Sequence, residues 1–425
     1  MKYTRAANAD LRQAARNLGR RVARSLDSHW TAGREGEGPI DVVDLFSGCG
    51  GMSAGFQAIN GAVPAYRLLL AVDIDEVANA TYERNLGMAP IAADVNEYAD
   101  DPSQLRSVLR SRGRRRSRPL VMIGCAPCQG FSSHRNGEGT GDSRNSLFGS
   151  FAQVAAALKP DAVVVENVPE LFTERYWPHV EFARSVLMDA GYRVHLSIHN
   201  MAEFGVPQER FRALMLAMRR PVAQFGGHLS RDRFRTTRDA IAALPEISAG
   251  EHHRDDPMHY TAHHRESTLE TIRAVPKDGG NRPADVGPAC LRRVEKRQGK
   301  PAYEDVYGRL RWDRPAVTIT NYARNPASGR YVHPEQDRGL SVREGALLQS
   351  FPAEYHFEGG LDPSFRQIGN AVPPVFAAQL AAYVLGEVLA VEEPTDVLPE
   401  GLREPVGVSF SRLIPALKSG SRLLA

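Results

Sequence analysis

From residue 38 to about 218 the chain alternates short apolar runs with helical patterns. That alternation constrains the fold more than any other feature, because it is the mark of βαβ units and a mostly parallel sheet covered on both faces. Strands are expected near 40–46, 68–73, 90–94, 119–124, 161–166, 193–199 and 211–217, with helices between them. Trp177 to Ala190 is the clearest helix, with Val180, Ala183, Val186 and Leu187 on one face and Gly191 as its stop. The expected architecture is therefore α/β, with a doubly wound, mostly parallel, seven-stranded sheet.

Beyond about 219 the texture changes. Arg, His, Pro and Gly become dense and periodicity fades to about 310, as in a smaller, irregular domain. Patterning returns at Ala316-Val317-Thr318-Ile319-Thr320, over 341–350, and in an Ala-rich helical run over 372–390. The expected division is a basic N-terminal extension (1–37), a large domain (38–222 plus 364–391), a small domain (223–363) and a C-terminal tail (392–425). The extension is read as a basic helix or loose arm, with an organelle transit peptide as the alternative.

No stretch reads as a membrane span, and the start lacks an apolar secretory core. Four cysteines (Cys49, Cys125, Cys128, Cys290) in 425 residues are no disulfide framework and suggest a reducing compartment. A net charge of +3 says little about partners. The basic residues are nearly all Arg, which suits bidentate contacts to phosphate and guanine. The run Arg110, Arg112, Arg114, Arg115, Arg116, Arg118 reads as a solvated connection rather than a nucleic-acid contact.

The first strand runs into Phe46-Ser47-Gly48-Cys49-Gly50-Gly51 and then a helix, a cradle of backbone N–H groups. Ser53 stands where a dinucleotide fingerprint has its third glycine, which disfavours a pyrophosphate. Asp73 ends the second strand at the distance expected of a ribose contact, and Asp94 ends the third, within reach of an adenine amino group. An adenosine without pyrophosphate fits, and S-adenosylmethionine is such a ligand.

Cys128 follows the fourth expected strand, in Cys125-Ala126-Pro127-Cys128-Gln129-Gly130-Phe131-Ser132. Cys125 and Cys128 have redox-pair spacing, but no thioredoxin-like helix start follows and no matching metal ligands exist, so Cys128 reads as a nucleophile. Glu166, directly after Val163-Val164-Val165, reads as a buried acid with its pKa raised, a proton donor. Arg210 and Arg212 alternate onto one face and seek anionic or carbonyl oxygens. The histidines of 252–264 lack metal-ligand spacing, so no metal site is expected.

These residues, in this order, resemble the DNA (cytosine-5) methyltransferase family over most of 41–390. The motifs are Asp44 to Gly51, Asp73, Asp94, Pro127 to Ser132, Glu166-Asn167-Val168 and Gln208-x-Arg210-x-Arg212. They continue with Arg314-Pro315-x-x-Thr318-Ile319-Thr320, Arg343 to Pro352, and Gln367 to Pro374.

The resemblance implies S-adenosylmethionine contacts at Phe46, Asp73, Ile74, Asp94 and Asn370, with Ser47, Gly48, Gly50, Gly51, Val95, Pro127 and Ala371 lining the same site. It implies attack by Cys128 on C6 of a flipped-out cytosine, Glu166 on N3 and the exocyclic amine, Arg212 on O2, and Arg210 nearer the phosphate. The small domain would be a target-recognition domain, and the partner a short double-stranded DNA sequence. A cytoplasmic bacterial monomer is expected, solitary or paired with a separate cognate restriction endonuclease. A tRNA cytosine-5 methyltransferase and an inactive DNA-binding homologue are the alternatives.

Overall fold

The structure is a computed structural model and describes residues 8–30, 38–126, 147–292, 303 and 305–407. The chain divides into two compact units. The first comprises 1–200, 211–228 and 375–425; the second comprises 201–210 and 229–374. Residues 201–210 and 364–374, which the sequence reading left in the large domain, thus lie in the second unit.

The first unit is built on a six-stranded sheet: β1 (Ile40–Leu45), β2 (Tyr66–Val72), β3 (Leu120–Gly124), β4 (Ala162–Asn167), β5 (Arg193–Asn200) and β6 (Phe211–Met218), in the order β2-β1-β3-β4-β6-β5. Strands β1 to β4 are mutually parallel, and β6 runs antiparallel to both of its neighbours. Every residue of β1, β3 and β4 is buried, as continuous apolar strands are when helices cover both faces.

The expected strand at 90–94 is not formed as such. Pro90 lacks an N–H, and Asp94 turns away to cap the helix Val95–Asp100. What remains is a single parallel bridge between Val72 and Ile91. Six named strands therefore replace the seven expected.

On one face, Val43, Leu45, Met122, Val163 and Val165 pack with Phe148, Phe151, Val180 and Leu187. On the other, the helices Gly51–Asn60 and Pro374–Leu389 cross at Gly55, where a Cβ would lie 2.4 Å from that of Ala377. The run Leu361–Leu389 is long and apolar enough to cross a membrane by length and composition, contrary to the sequence reading. It is mostly buried inside the protein, as a core helix is.

Of the two readings of the basic N-terminal segment, residues 8–24 take the helix. The helix Asn8–Arg24 lies against Pro374–Leu389, and Arg12 pairs with buried Glu387 at 2.8 Å. Part of the Arg run is structural too. Arg67, Arg114 and Arg118 converge on the fully buried carboxylate of Asp41 at 2.8, 3.2 and 3.1 Å. The expected tail is docked as far as 407. Leu196 N–H donates to Glu400 O and Val406 N–H to Phe172 O, so the segment covers the edge strand β5.

The second unit has no named strand among its described residues, so its buried carbonyls need other donors. Arginine supplies them. Arg309 donates to the carbonyls of Ile272, Val275, His333 and Gln336 around a small core of Ile272, Val275, Tyr307 and Val332. Arg338 forms a fork on Glu344 at 2.8 and 2.7 Å and also donates to Ile247 O. Burial pushes the Glu344 carboxyl up, but the Arg338 fork overrides it and holds the group at about 2.

His333 is neutral for a geometric reason: its Nδ1 accepts the N–H groups of Glu335 and Gln336, which a protonated ring cannot do. Burial holds it at about 4, below the ordinary 6.5. A depressed histidine favours the unfolded state once protonated, so its stability contribution is complete above 6.5 and is lost as pH falls toward 4. Glu344 contributes fully above its ordinary 4.5 and loses its contribution only below that, toward 2. Acidification should therefore weaken the second unit through His333 first, by on the order of 3 kcal/mol across the window. Unfolding midpoints measured from pH 7 to 4 should fall steeply in the wild type and less steeply in His333→Gln. Parallel profiles would refute the assignment.

Candidate active site

Strand β1 ends at the glycine turn. Phe46, Gly48 and Gly50 have φ of 59°, 51° and 87°, the left-handed region where glycine is cheap and Phe46 is strained. A Cβ on Gly48 would meet nothing within 4 Å, so the turn opens onto free space. Asp73 fastens it: Oδ2 accepts Gly48 N–H at 2.7 Å and Oδ1 accepts Asp75 N–H at 2.9 Å. Burial pushes this carboxyl upward, against backbone donors at Asp75, Gly48 and Ile74.

Beside Asp73, Ile74 is 72% exposed, a bare aliphatic ledge on an ordered loop. Ser47 is buried, and its Oγ has no hydrogen-bond partner. Asp94 caps its helix by accepting from Asn96 N–H. Val95 is 2% exposed, and its side chain belongs to the sheet's apolar core. Ser53, at the missing-glycine position, donates to Asp44 Oδ2 at 2.6 Å and accepts from Tyr82. Burial raises Asp44 to about 7.

Strands β3 and β4 are register partners, Gly124 opposite Val165, so the residues that follow each leave the sheet side by side. Gly124 must be glycine: a Cβ would sit 2.5 Å from the Phe151 ring and 2.6 Å from Leu45 O. Glu166 is 2% exposed. Its Oε2 accepts the Cys125 thiol at 3.0 Å, and its Oε1 lies 3.0 Å from Arg212 Nε. That ion pair is close but not aligned as a hydrogen bond, and Oε1 remains a buried acceptor without a donor. Asn167 Nδ2 donates to Ala126 O at 3.2 Å, holding the start of the loop after β3. Pro127 and Cys128 lie outside the described residues.

The first unit thus brings together Glu166 and Arg212, and holds the glycine turn and Asp73 in contact. Arg210 does not join them. It precedes β6, belongs to the second unit and is 1% exposed. Its guanidinium donates to the carbonyls of Ile319 (3.0 Å), Gly369 (2.9 Å) and Ala371 (3.2 Å). A group so enclosed has no face for a phosphate, so the reading of Arg210 as a catalytic or phosphate contact is corrected to a structural clamp.

Ala371 is buried, and its carbonyl is taken by Arg210 and Gln349. Asn370, the last residue of the helix Leu361–Asn370, is exposed in the second unit. Gln208 donates to Leu348 O and accepts Ile319 N–H. Several motif residues therefore bind that unit to itself.

Sequence reasoning missed Cys125 and Asn167 as partners of the acidic site, although both stand inside quoted motifs. Two parallel strands ending together were the available signal. Cys49 is buried and its thiol is pushed up to about 12 by burial, so it is no nucleophile. No cluster of three metal-ligating side chains occurs among the described residues.

The C-5 cytosine-specific DNA methylase model matches residues 40–385. The chain is 33% identical to the type II methylase M.HgiDII of Herpetosiphon aurantiacus, over 80% of this chain and 93% of that protein. It is 34% identical to the type II methyltransferase M1.HphI of Haemophilus parahaemolyticus, over 81% and 87%. Among solved structures, a prophage-encoded candidate DNA modification methyltransferase of E. coli matches with a TM-score of 0.58 at 22% identity, over 81% of this chain and 98% of that one. S. pombe Dnmt2 matches at 0.52 and 19%, over 82% and 98%. At those identities the two structures speak to the fold alone. With the family model spanning the sheet, the glycine turn and the motifs of both units, the chain belongs to the C-5 cytosine-specific DNA methylase family and is a DNA (cytosine-5)-methyltransferase.

Proposed function

We propose that this enzyme methylates C5 of one flipped-out cytosine within a short duplex sequence, with S-adenosylmethionine as methyl donor and Cys128 as nucleophile. The observation that carries the reading is Glu166: a carboxylate 2% exposed, paired with Arg212, holding a donor-free oxygen at the carboxyl end of β4. Such a group is costly to bury without a purpose.

The glycine turn fits the methyl donor, since it offers open space at Gly48, the adjoining Asp73 carboxyl, the Ile74 ledge and the orphan Ser47 hydroxyl. S-adenosylmethionine, when bound, supplies a sulfonium-activated methyl group. The chain's residues do the rest. Cytosine C5 is a poor nucleophile. Addition of the Cys128 thiolate to C6, with Glu166 holding a proton toward N3, makes C5 an enamine carbon able to accept the methyl. Loss of the C5 proton then expels Cys128 and restores the aromatic ring. Arg212 holds Glu166 and reaches for O2. A base inside a duplex must leave the stack, at a cost of a few kcal/mol.

The second unit is assigned target recognition, and its exposed Tyr322 and His252 suit base-edge contacts. A restriction–modification setting rests on the type II relatives. None of the described cysteines forms a disulfide, which supports a cytoplasmic site of action. A monomer suffices, because the glycine turn and Glu166 come from one chain.

Tritiated S-adenosylmethionine offered with duplex DNA or with tRNA tests the reading. Label is expected in 5-methylcytosine of the DNA. Label in tRNA alone, or none in either, would overturn it.

A further inference from the structure

We infer that Cys125 is a positioning residue for the methyl-transfer reaction. Its thiol holds Oε2 of Glu166 and thereby turns the donor-free Oε1 toward the base. The inference deepens the proposed function and rests on the reading that Glu166 holds the cytosine.

A glutamate carboxylate rotates easily about its last torsion, which is broad and roughly two-fold. In a buried site that freedom costs rate, because catalysis depends on donors and acceptors held in place before the reaction. Glu166 has three restraints. Strand β4 fixes its backbone between β3 and β6. Arg212 Nε lies 3.0 Å from Oε1 but is not aligned for a hydrogen bond, so it supplies charge with little direction. The Cys125 S–H, 3.0 Å from Oε2, is the directional restraint.

The thiol is itself held. Cys125 directly follows β3, and Asn167, the neighbour of Glu166, ties down the carbonyl of Ala126 beyond it. One short stretch of each strand therefore grips the other. The two carboxylate oxygens are made unequal: Oε2 is engaged, while Oε1 is buried and lacks a donor. A donor on a pyrimidine edge, such as a 4-amino group or a protonated N3, is what Oε1 lacks.

The test uses the full-length enzyme, labelled S-adenosylmethionine and unmethylated genomic DNA from cells that do not express it. Cys125→Ala should lower kcat about tenfold, the worth of one hydrogen bond to a charged group, with KM for DNA and for S-adenosylmethionine changed by less than about twofold. Cys125→Ser restores a donor and should recover kcat to within about threefold of wild type. A purely structural role predicts parallel loss in both variants, or a rise in KM.

Should Cys125→Ala fail to fold, Cys125→Val takes its place with the same expected loss, since it fills the space without donating. Wild-type kcat in the non-donor variant, or Cys125→Ser as slow as that variant, overturns the inference. Glu166→Ala is the separate arm. If it turns over at the wild-type rate, the reading of Glu166 itself fails. If it is inactive while Cys125→Ala is unimpaired, only the role of Cys125 fails.

Discussion

Cys128→Ala is expected to lower methyl transfer by about a thousandfold or more, the scale on which enzymes lose rate when their nucleophile is removed. Without addition at C6, cytosine C5 has no enamine character and no reason to accept a methyl group. Neither Cys49 nor Cys125 is placed to substitute. Cys49 is buried with its thiol pushed up to about 12, and Cys125 is engaged by Glu166. Cys128→Ser should fail almost as fully, since a hydroxyl is far harder to ionise than a thiol. The glycine turn takes its fastening from Asp73, so S-adenosylmethionine binding is expected to persist in both variants. Label transfer and equilibrium cofactor binding, measured on the same protein, check both halves. Retained turnover would remove Cys128 from the mechanism.

Arg210→Ala should destabilise the second unit by on the order of 4 kcal/mol, because an unmade buried hydrogen bond costs about 1–3 kcal/mol per orphaned group, and the carbonyls of Ile319 and Gly369 would be orphaned around a new cavity while Ala371 O keeps only Gln349. The carbonyl of Ile319 comes from one segment and those of Gly369 and Ala371 from the end of the helix Leu361–Asn370, and this guanidinium ties the two together. Close packing sharpens the demand: a Cβ on Gly369 would lie 2.1 Å from Asn321 N. Arg210→Lys should recover little, since one ammonium cannot reproduce the planar fork. Urea unfolding followed by a probe in the second unit checks this. Unchanged stability with lost turnover would return Arg210 to the catalytic role its motif suggests.

Arg210 also shows where sequence reasoning reaches its limit. Alternation placed it on one face with Arg212, but β6 begins at Phe211 and the chain changes unit between 210 and 211. Strand periodicity holds only inside a strand, and its first residue was legible to within one position. The sheet was legible because its strands are continuous apolar runs. Strand direction was not, since β6 reads the same in either sense. The site edge was legible because acid, thiol and glycine turn each follow such a run. The second unit was not, because arginines clasping distant carbonyls leave no periodic trace. The same holds for the N-terminal segment, whose Arg12 finds its partner 375 residues away.

The central claim is a transient bond between Cys128 and C6 of the target cytosine. A duplex carrying 5-fluorocytosine in the sequence found by methylation mapping tests it most directly, because fluorine blocks the last elimination. With S-adenosylmethionine present, the wild type should form a denaturation-resistant protein–DNA adduct, and peptide mass spectrometry should place the linkage at Cys128. An enzyme that methylates the normal duplex yet leaves no adduct on the fluorinated one, or that links through another residue, would contradict the account.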